Sequence, residues 1–320
     1  EQSAELVQSM ASSRYFRLVT AAATPVEIER MIAAGQIRFG AIIPRGFGED
    51  VSGGRAGQVQ VLLDGSDSMT AGVALGYLEA IVRQHQLDLI AEWAARRGVP
   101  PALIAPPIEV HTRALYNPEL KTVTFMVPGL IAVIMTMLAA LLTSGCIVRE
   151  REVGSFEGLA ASPIAPVEII IGKLLPYAAI AVADVILCIG VGYVVFGVYP
   201  TGSRPALLLI SGLYLSASLA IGLAISSIAR TQQVATLLAF LATMLPTLLL
   251  TGFVFPLRSM PTVLQWFAQV LPATHFLEVI RGIYLKGTGL APYAQETVAL
   301  AVISLALVVL AAKSFHKSLE

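Results

Sequence analysis

The sequence has little charge and no excess of charge of either sign. Charged residues make up 13% of the 320 residues, hydrophobic residues make up 56%, and the formal net charge is zero. Soluble domains carry about a quarter of their residues as charges, so this composition indicates a membrane protein. Because the chain has no excess of basic residues, it lacks a positively charged surface that could bind phosphates. This excludes nucleic acid as a partner.

The sequence also lacks the common motifs of enzymes and metal sites. Cys146 and Cys188 both lie in apolar stretches and fit neither a disulfide framework nor a metal cluster. Gly172-Lys173 does not form a phosphate loop, because Leu174 follows it and no glycine precedes it by five residues. The motifs H-E-x-x-H and G-x-S-x-G are absent too. We therefore expect no catalytic residue, metal or cofactor in this chain, and the sequence gives little support to an intramembrane enzyme.

The charges that are present divide the chain into two parts. The first 121 residues hold 11 of the 21 Lys and Arg residues and 13 of the 21 Asp and Glu residues. From residue 122 onward, short charged clusters separate apolar stretches that are long enough to cross a bilayer. These stretches predict five transmembrane helices, at residues 123–148, 174–198, 206–228, 234–255 and 297–312.

Residues 1–121 have the alternating pattern of a soluble α/β domain. The pattern predicts four strands and two helices. The strands are predicted at residues 15–20, 37–43, 58–63 and 108–115, and the helices at residues 25–34 and 68–97. Carboxylates between Asp64 and Asp67 could bind a cation, but a turn in which Asp67 or Ser66 caps the next helix is the favoured interpretation.

Five spans place the α/β domain and the C-terminus on opposite sides of the membrane. We expect a sixth span before Glu1, which would bring both ends of the complete chain to one side. Lys and Arg residues near the span ends are evenly divided between the two sides, so the positive-inside rule does not choose the orientation.

The charged segment between the first two spans carries an ordered motif. Its matching positions are Glu150, Glu152, Gly154, Ser155, Glu157, Leu159, Ser162, Pro163, Glu168, Gly172 and Lys173. This segment resembles the cytoplasmic loop of ABC-2-type export permeases. Shorter matches in the same order, at residues 116–120, 125–129, 252–261 and 281–287, extend the resemblance over nearly the whole chain.

The resemblance implies a polytopic α-helical membrane protein of the bacterial inner membrane with an extracytoplasmic α/β domain. It implies that residues 1–121 are periplasmic, that loop 149–173 and the C-terminus are cytoplasmic, and that residues 256–290 form re-entrant outer helices. The implied partners are a separate ABC ATPase subunit that binds ATP, a second copy or a homologous permease, and a periplasmic adaptor of the membrane-fusion type. The implied function is export of a drug, lipid or other amphipathic substrate.

Loop 149–173 is the candidate contact with the ATPase. Its candidate residues are Glu150, Glu152, Gly154, Phe156, Glu157, Leu159, Ser162 and Pro163. Phe156 and Leu159 would present an apolar edge if they lie on one short helix. The simpler alternative is that the charges at residues 149–152 only solvate a helix end.

Asp184 is a candidate for the translocation path. It lies near the middle of the second predicted span, where a charge costs at least about 2.5–3.5 kcal/mol, so it must face protein or water. It could contact a substrate or a coupling ion, or it could be a protonated or hydrogen-bonded packing residue. Both interpretations stay open.

The segment at residues 256–290 contains a third candidate site. His275, Glu278 and Arg281 lie three apart and could share one face of a helix. An interfacial ion pair, with Trp266 as an anchor at the membrane surface, is favoured over a substrate site.

Two other classes of protein fit parts of this pattern. A secondary transporter needs intramembrane carboxylates for ion coupling, and the spans offer only Asp184. A membrane-anchored sensor or assembly protein would use the α/β domain for binding and the spans as an anchor. Adjacency of the gene to an ATPase gene would separate both from an ABC permease.

Overall fold

The computed structural model describes residues 2–13, 15–98, 100–154 and 166–317. The chain divides into two compact units, Glu1–Thr122 and Val123–Glu320. The first is an α/β unit and the second is helical.

A three-stranded sheet forms the centre of the α/β unit. β1 (Phe39–Ile42) pairs antiparallel with β2 (Gly57–Asp64), and β2 pairs parallel with β3 (Ile108–Leu115). The helices are α1 (Gln2–Ser12), α2 (Pro25–Ala33), α3 (Phe47–Ser52) and α4 (Ser68–Arg97). A single turn of 3₁₀ helix, Pro101–Leu103, leads toward β3.

Alternate residues of β2 supply two separate hydrophobic cores, as the period of two in a strand requires. Val59, Val61 and Leu63 pack in one cluster with apolar residues of α1, α3 and α4. Leu62 packs in the other cluster with Ile28 and Ile32 of α2. Both faces of this strand are therefore covered by helices.

Local chemistry accounts for the starts of α2 and α4. Pro25 occupies the first turn of α2, where its missing N–H costs nothing, and Thr24 accepts a hydrogen bond from the N–H of Glu27. Asp67 caps α4 by accepting a hydrogen bond from the N–H of Thr70 at 3.0 Å. The prediction of a capping turn before this helix is confirmed.

Residues 15–20 do not form the predicted strand, so that prediction is wrong. The segment forms no β-ladder within the described residues, and Tyr15, Leu18 and Val19 are exposed. Phe16 instead packs beside the ring of Phe39, with ring centroids 5.0 Å apart. The apolar residues of a segment favour a strand, but they do not determine whether the segment pairs with an outer strand of the sheet.

The helical unit has five helices, within the described residues, that are long and apolar enough to cross a membrane. They are α5 (Thr122–Val153), α6 (Pro166–Val194), α7 (Arg204–Ile228), α8 (Gln232–Leu250) and α11 (Ala294–Lys317). The prediction of a polytopic helical protein with five visible spans is confirmed. α8 ends five residues earlier than predicted, because the backbone turns at Gly252, whose φ of +81° favours glycine.

Two short helices lie between α8 and α11. α9 spans Thr262–Val270 and α10 spans Pro272–Leu285, with a 3₁₀ turn at Leu257–Ser259 before them and another at Ala291–Tyr293 after them. The pair of short helices occupies the segment where re-entrant helices were expected. α10 is buried along most of its length, and Phe276 stacks on Tyr214 of α7 with ring centroids 4.1 Å apart.

α5 and α7 approach each other closely at Gly222. A β-carbon at this glycine would collide with the Thr143 hydroxyl and the Ala140 backbone of α5. Glycine is required there because the two backbones leave no room for a side chain, as in other closely packed membrane helices.

Candidate functional site

Three consecutive charged residues at the C-terminal end of α5 each contact a different helix. Glu150 forms an ion pair with Lys173 of α6. Arg151 donates a hydrogen bond to the Ser227 carbonyl at the end of α7, at 3.4 Å. The third residue, Glu152, accepts a hydrogen bond from the N–H of Gln232 at the start of α8, at 2.9 Å. Successive residues of a helix point about 100° apart, which lets one turn of α5 reach three neighbours.

The partners of Arg151 and Glu152 are unsatisfied backbone groups at helix ends. The last carbonyls of a helix carry partial negative charge and the first N–H groups carry partial positive charge. The positively charged Arg151 lies at the carbonyl end of α7, and the negatively charged Glu152 lies at the N–H end of α8. Each charge therefore has the sign that the helix end favours. We call Glu150, Arg151, Glu152 and their three partners the α5 junction.

The α5 junction continues into a buried polar seam between α5 and α7. The Ser226 hydroxyl accepts hydrogen bonds from the N–H groups of Ile147 and Val148, at 2.9 and 3.3 Å. One turn further along, the Thr143 hydroxyl donates to the Leu219 carbonyl at 3.2 Å. These bonds are shielded from water and fix the register of the two helices.

The seam extends to the middle of α5 and α7. The Thr136 hydroxyl donates to the phenol oxygen of Tyr214 at 2.6 Å and lies 2.8 Å from the Ser218 hydroxyl. The Tyr214 phenol donates in turn to the Ala132 carbonyl at 3.1 Å. The two helices are therefore joined from the middle of their length to the α5 junction.

The remaining residues of the predicted coupling loop divide into two sets. Gly154 ends α5 with a φ of +77°, a conformation that favours glycine. Five candidate residues lie outside the described residues: Phe156, Glu157, Leu159, Ser162 and Pro163. Glu150 and Glu152, which were predicted to face the ATPase, have partners within the chain.

Asp184 lies on the side of α6 that is turned toward other helices. Ala181 and Val185, three residues before it and one after, are buried, whereas Ile186 and Leu187 are exposed. The thiol of Cys188, one turn later, donates to Asp184 Oδ1 with a sulfur–oxygen distance of 3.6 Å.

His275, Glu278 and Arg281 lie on α10 but have different surroundings. The imidazole Nε2 of His275 lies 2.9 Å from the Gln269 carbonyl of α9. Glu278 is exposed. Two of the three residues are thus partly buried and one faces outward.

Arg281 joins α10 to the end of α8 and to α5. Its guanidinium donates to the Gly252 carbonyl at 3.0 Å and the Phe253 carbonyl at 3.5 Å. The same group lies over the Phe125 ring of α5, 3.8 Å from the ring centroid. Arg281 therefore connects three parts of the helical unit.

Sequence reasoning missed Arg151 as a residue of the α5 junction, and it missed Ser226 and Thr143 as residues of the seam between α5 and α7. The available signal was the set of Ser and Thr residues in α5 and α7, because hydroxyl groups in apolar helices need partners. Their spacing alone does not say which helix supplies the partner.

Comparison with known proteins places this architecture in a family. Residues 1–313 match the family described as ABC-2 family transporter protein. The chain is 35% identical over 262 residues to the probable multidrug ABC transporter permease YbhS of Escherichia coli K12, covering 82% of this chain and 68% of that protein. It is 32% identical over 290 residues to the probable multidrug ABC transporter permease YbhR of the same strain, covering 91% of this chain and 76% of that protein. It is also 31% identical over 300 residues to the inner membrane transport permease YhhJ of that strain, covering 92% and 77%.

Proposed function

The chain belongs to the ABC-2 family of transporter proteins, and from this premise we propose that it is the membrane subunit of an ATP-driven exporter of amphipathic molecules. A permease of this family is a multi-pass membrane protein and not itself an enzyme, because ATP hydrolysis belongs to separate ATPase subunits. The proposal adds the direction of transport, dimerisation with a second or homologous permease, and contact of loop 149–173 with the ATPase.

The α5 junction is the observation that carries this proposal. An exporter of this type must convert movement of a soluble ATPase into movement of several helices at once. The junction joins α5 to α6, α7 and α8 through Glu150, Arg151 and Glu152. A displacement of the segment that links α5 to α6 would therefore act on four helices together.

The seam between α5 and α7 supports the same mechanism. Hydrogen bonds that involve Ser226, Thr143 and Thr136 join the two helices from the middle of their length toward the α5 junction. Rigid elements transmit displacement, whereas a loosely packed pair would absorb it.

The coupling test replaces the apolar pair predicted to contact the ATPase. We expect Phe156→Ala with Leu159→Ala to leave the permease inserted while ATPase co-purification falls about tenfold, a loss of about 1.4 kcal/mol. Substrate-stimulated ATP hydrolysis in the reconstituted complex should fall with it. The matched control, Phe156→Leu with Leu159→Met, keeps the apolar edge and should retain both. Unchanged binding and stimulation in the alanine variant would show that this loop is not the coupling element.

Orientation in the bacterial inner membrane is part of the proposal. We expect residues 1–121 in the periplasm, where they could contact an adaptor of the membrane-fusion type, and the C-terminus in the cytoplasm. In a background without the native cysteines, single cysteines at Ser52 and Ser203 should react with an impermeant reagent in intact cells. Cysteines at Ser155 and Thr231 should react only after permeabilisation. Reaction at position 155 in intact cells would show that the orientation is the reverse of the one proposed.

A further inference from the structure

β3 is an outer strand of the three-stranded sheet. β2 pairs with one of its sides, and no strand within the described residues pairs with the other. Three successive residues, His111, Thr112 and Arg113, are exposed although successive side chains of a strand lie on opposite faces of the sheet. The middle of β3 is therefore accessible from outside, and an open outer strand is a surface on which another strand can pair.

The backbone of β3 shows which of its residues face the open side. The carbonyls of Pro107 and Leu115, at the two ends of β3, accept hydrogen bonds at 2.9 Å from N–H groups at the start and the end of β2. Because the N–H and C=O groups of a strand alternate in direction, the odd-numbered residues face β2 and the even-numbered residues face outward. The Ile108 carbonyl agrees with this, since it accepts a hydrogen bond from the Gln86 side chain of α4 at 2.5 Å.

The side chains of β3 carry charges of both signs on one face. Glu109, His111 and Arg113 lie on the face of the sheet that packs against α2, and 55–63% of each side chain is exposed. Within the chain, His111 lies 3.8 Å from Glu109, and Arg113 lies 3.6 Å from Glu29 of α2. Ion pairs this exposed contribute little to stability, so the charges keep the capacity to bind other groups.

The order of these charges is self-complementary. Two copies of β3 placed antiparallel, with His111 on the two-fold axis, bring Glu109 of each copy opposite Arg113 of the other. The same register pairs Val110 of each copy with Thr112 of the other, and these residues point their N–H and C=O groups outward. The Val–Thr pairs are then hydrogen-bonded. The charged pairs occupy the non-hydrogen-bonded positions, where opposing side chains lie closest.

The other registers that match the outward backbone groups oppose the charges less favourably. An axis at Thr112 places His111 opposite Arg113, and an axis at Glu109 or at Arg113 places like charges opposite each other. An axis at Val110 places Glu109 opposite His111 and leaves Arg113 without an acidic residue across from it. Charge and backbone direction therefore select the same register, the one centred on His111.

We propose that the open edge of β3 pairs with β3 of a second copy of this chain, so that the sheets of two α/β units become one continuous sheet. This inference rests on the dimerisation included in the proposed function and names one of its contacts. The alternative role of Glu109 and Arg113 is to prevent strand pairing, as charges on outer strands often do. The two roles predict opposite results, because removing the match between the charges weakens a paired edge but not a protected one.

The test is disulfide cross-linking of the complete permease in its membrane with a mild oxidant, in a background without the native cysteines. His111→Cys places the two thiols at a non-hydrogen-bonded position on the axis, where the Cα atoms lie about 4.5 Å apart, within the range of a disulfide. Gln58→Cys, an exposed position of β2 on the same face, is the control. We expect His111→Cys to cross-link about tenfold more than the control, because distant thiols cannot form a disulfide. Equal cross-linking overturns the proposal.

Charge reversal in the His111→Cys variant tests the register. Glu109→Arg places positive charges opposite each other and should lower the cross-linked fraction by about fivefold. Adding Arg113→Glu restores opposite charges and should recover the cross-link. An unchanged or higher cross-linked fraction in Glu109→Arg would overturn the proposal.

The control for contacts within one chain is Glu29→Gln, which removes the carboxylate beside Arg113. It should leave the cross-linked fraction unchanged, because Glu29 is not part of the paired edge. A loss as large as that in Glu109→Arg would mean that these charges act only within one α/β unit, which overturns the register.

The β3 contact and the proposed function can fail separately. Light scattering of the purified permease reports whether it is a dimer. If it is a dimer and His111→Cys does not cross-link above the control, the proposed dimerisation stands and the β3 contact is wrong. If His111→Cys cross-links specifically but the ATPase-loaded complex exports no amphipathic dye, the β3 contact stands and the exporter proposal fails.

Discussion

The α5 junction and the Asp184 region use the same kinds of side chain in opposite ways. At the α5 junction, the carboxylates of Glu150 and Glu152 both have partners on neighbouring helices. At Asp184, one carboxylate oxygen has none within the described residues. Paired charges hold helices together, whereas unpaired polar atoms in a low-dielectric interior are retained at a cost. The difference separates a junction of paired charges from a carboxylate oxygen that has no hydrogen-bond partner among the described residues.

The largest expected effect concerns the close contact that the paired region needs. Gly222→Ala places a methyl group against Thr143 and Ala140 and should destabilise the permease by about 1–3 kcal/mol or more. Gly212→Ala on the same helix is the control, because its added methyl group meets no atom within 4 Å. Thermal unfolding in detergent, followed by size-exclusion chromatography, measures both. Equal melting temperatures for the two variants would show that α5 and α7 do not approach this closely.

A smaller effect is expected for the ion pair of the α5 junction. The side chains of Glu150 and Lys173 are 28% and 19% exposed, so removing one partner leaves a partly buried charge. We expect Glu150→Gln and Lys173→Met each to destabilise by about 1–2 kcal/mol, discounted from fully buried pairs for solvent screening.

The double variant completes a thermodynamic cycle for this pair. Glu150→Gln with Lys173→Met should lose less stability than the sum of the single variants, because neither charge is then left alone. Purely additive losses in thermal unfolding would mean that the two residues do not interact, and the junction would then lose its connection to α6.

A third carboxylate, that of Asp67, lies outside the predicted spans and can be compared with the two regions of the helical unit. Asp67 caps α4 and forms an ion pair with Arg38 at 3.0 Å. We expect Asp67→Ala to cost about 1 kcal/mol, mostly through the lost cap, since ion pairs near the surface contribute little. Arg38→Ala is the matched control and should cost clearly less. If Arg38→Ala is the more damaging change in a hydrogen-exchange measurement on α4, the cap is not the main contribution.

The smallest expected effect has the opposite sign. Asp184→Asn removes a charge without a basic partner, and it keeps hydrogen-bonding capacity, so the melting temperature should stay the same or rise. The expected gain is at most about 1 kcal/mol. Glu152→Gln, which weakens an existing contact to the start of α8, is the control and should lower the melting temperature. A clear loss of stability in Asp184→Asn would show that the carboxylate is a packing residue, and the contrast between the two regions would disappear.

Much of the fold could be predicted from the sequence, because span length and local caps are local properties. The five spans, the long helix at residues 68–97 and the strand at residues 108–115 follow from apolar periodicity and from turn residues. The wrong prediction of a strand at residues 15–20 shows what local sequence patterns cannot predict. The segment has the residues of a strand but pairs with neither outer strand of the sheet.

The sequence could predict which residues belong to the candidate sites, but it could not predict which other residues they contact. Asp184 stands out because a charge in a span is unusual, but the sequence does not show that one of its carboxylate oxygens lacks a hydrogen-bond partner among the described residues. The contacts of Arg281 with Phe125 and Gly252 likewise join residues that are far apart in the sequence, so spacing alone could not predict them. The predicted roles of Phe156, Glu157, Leu159, Ser162 and Pro163 stay predictions.

The sequence by itself determined which part of this protein is suited to water and which to the membrane, because hydrophobicity and charge are properties of the individual residues. It also determined the family, through motifs such as the one that includes Glu150 and Lys173. Only the tertiary structure decided which charges are paired. Glu150 and Asp184 are both acidic residues of long, mainly apolar helices, and the difference between them is whether another helix brings a partner within hydrogen-bond distance. That proximity depends on helix packing, which no local pattern of residues specifies.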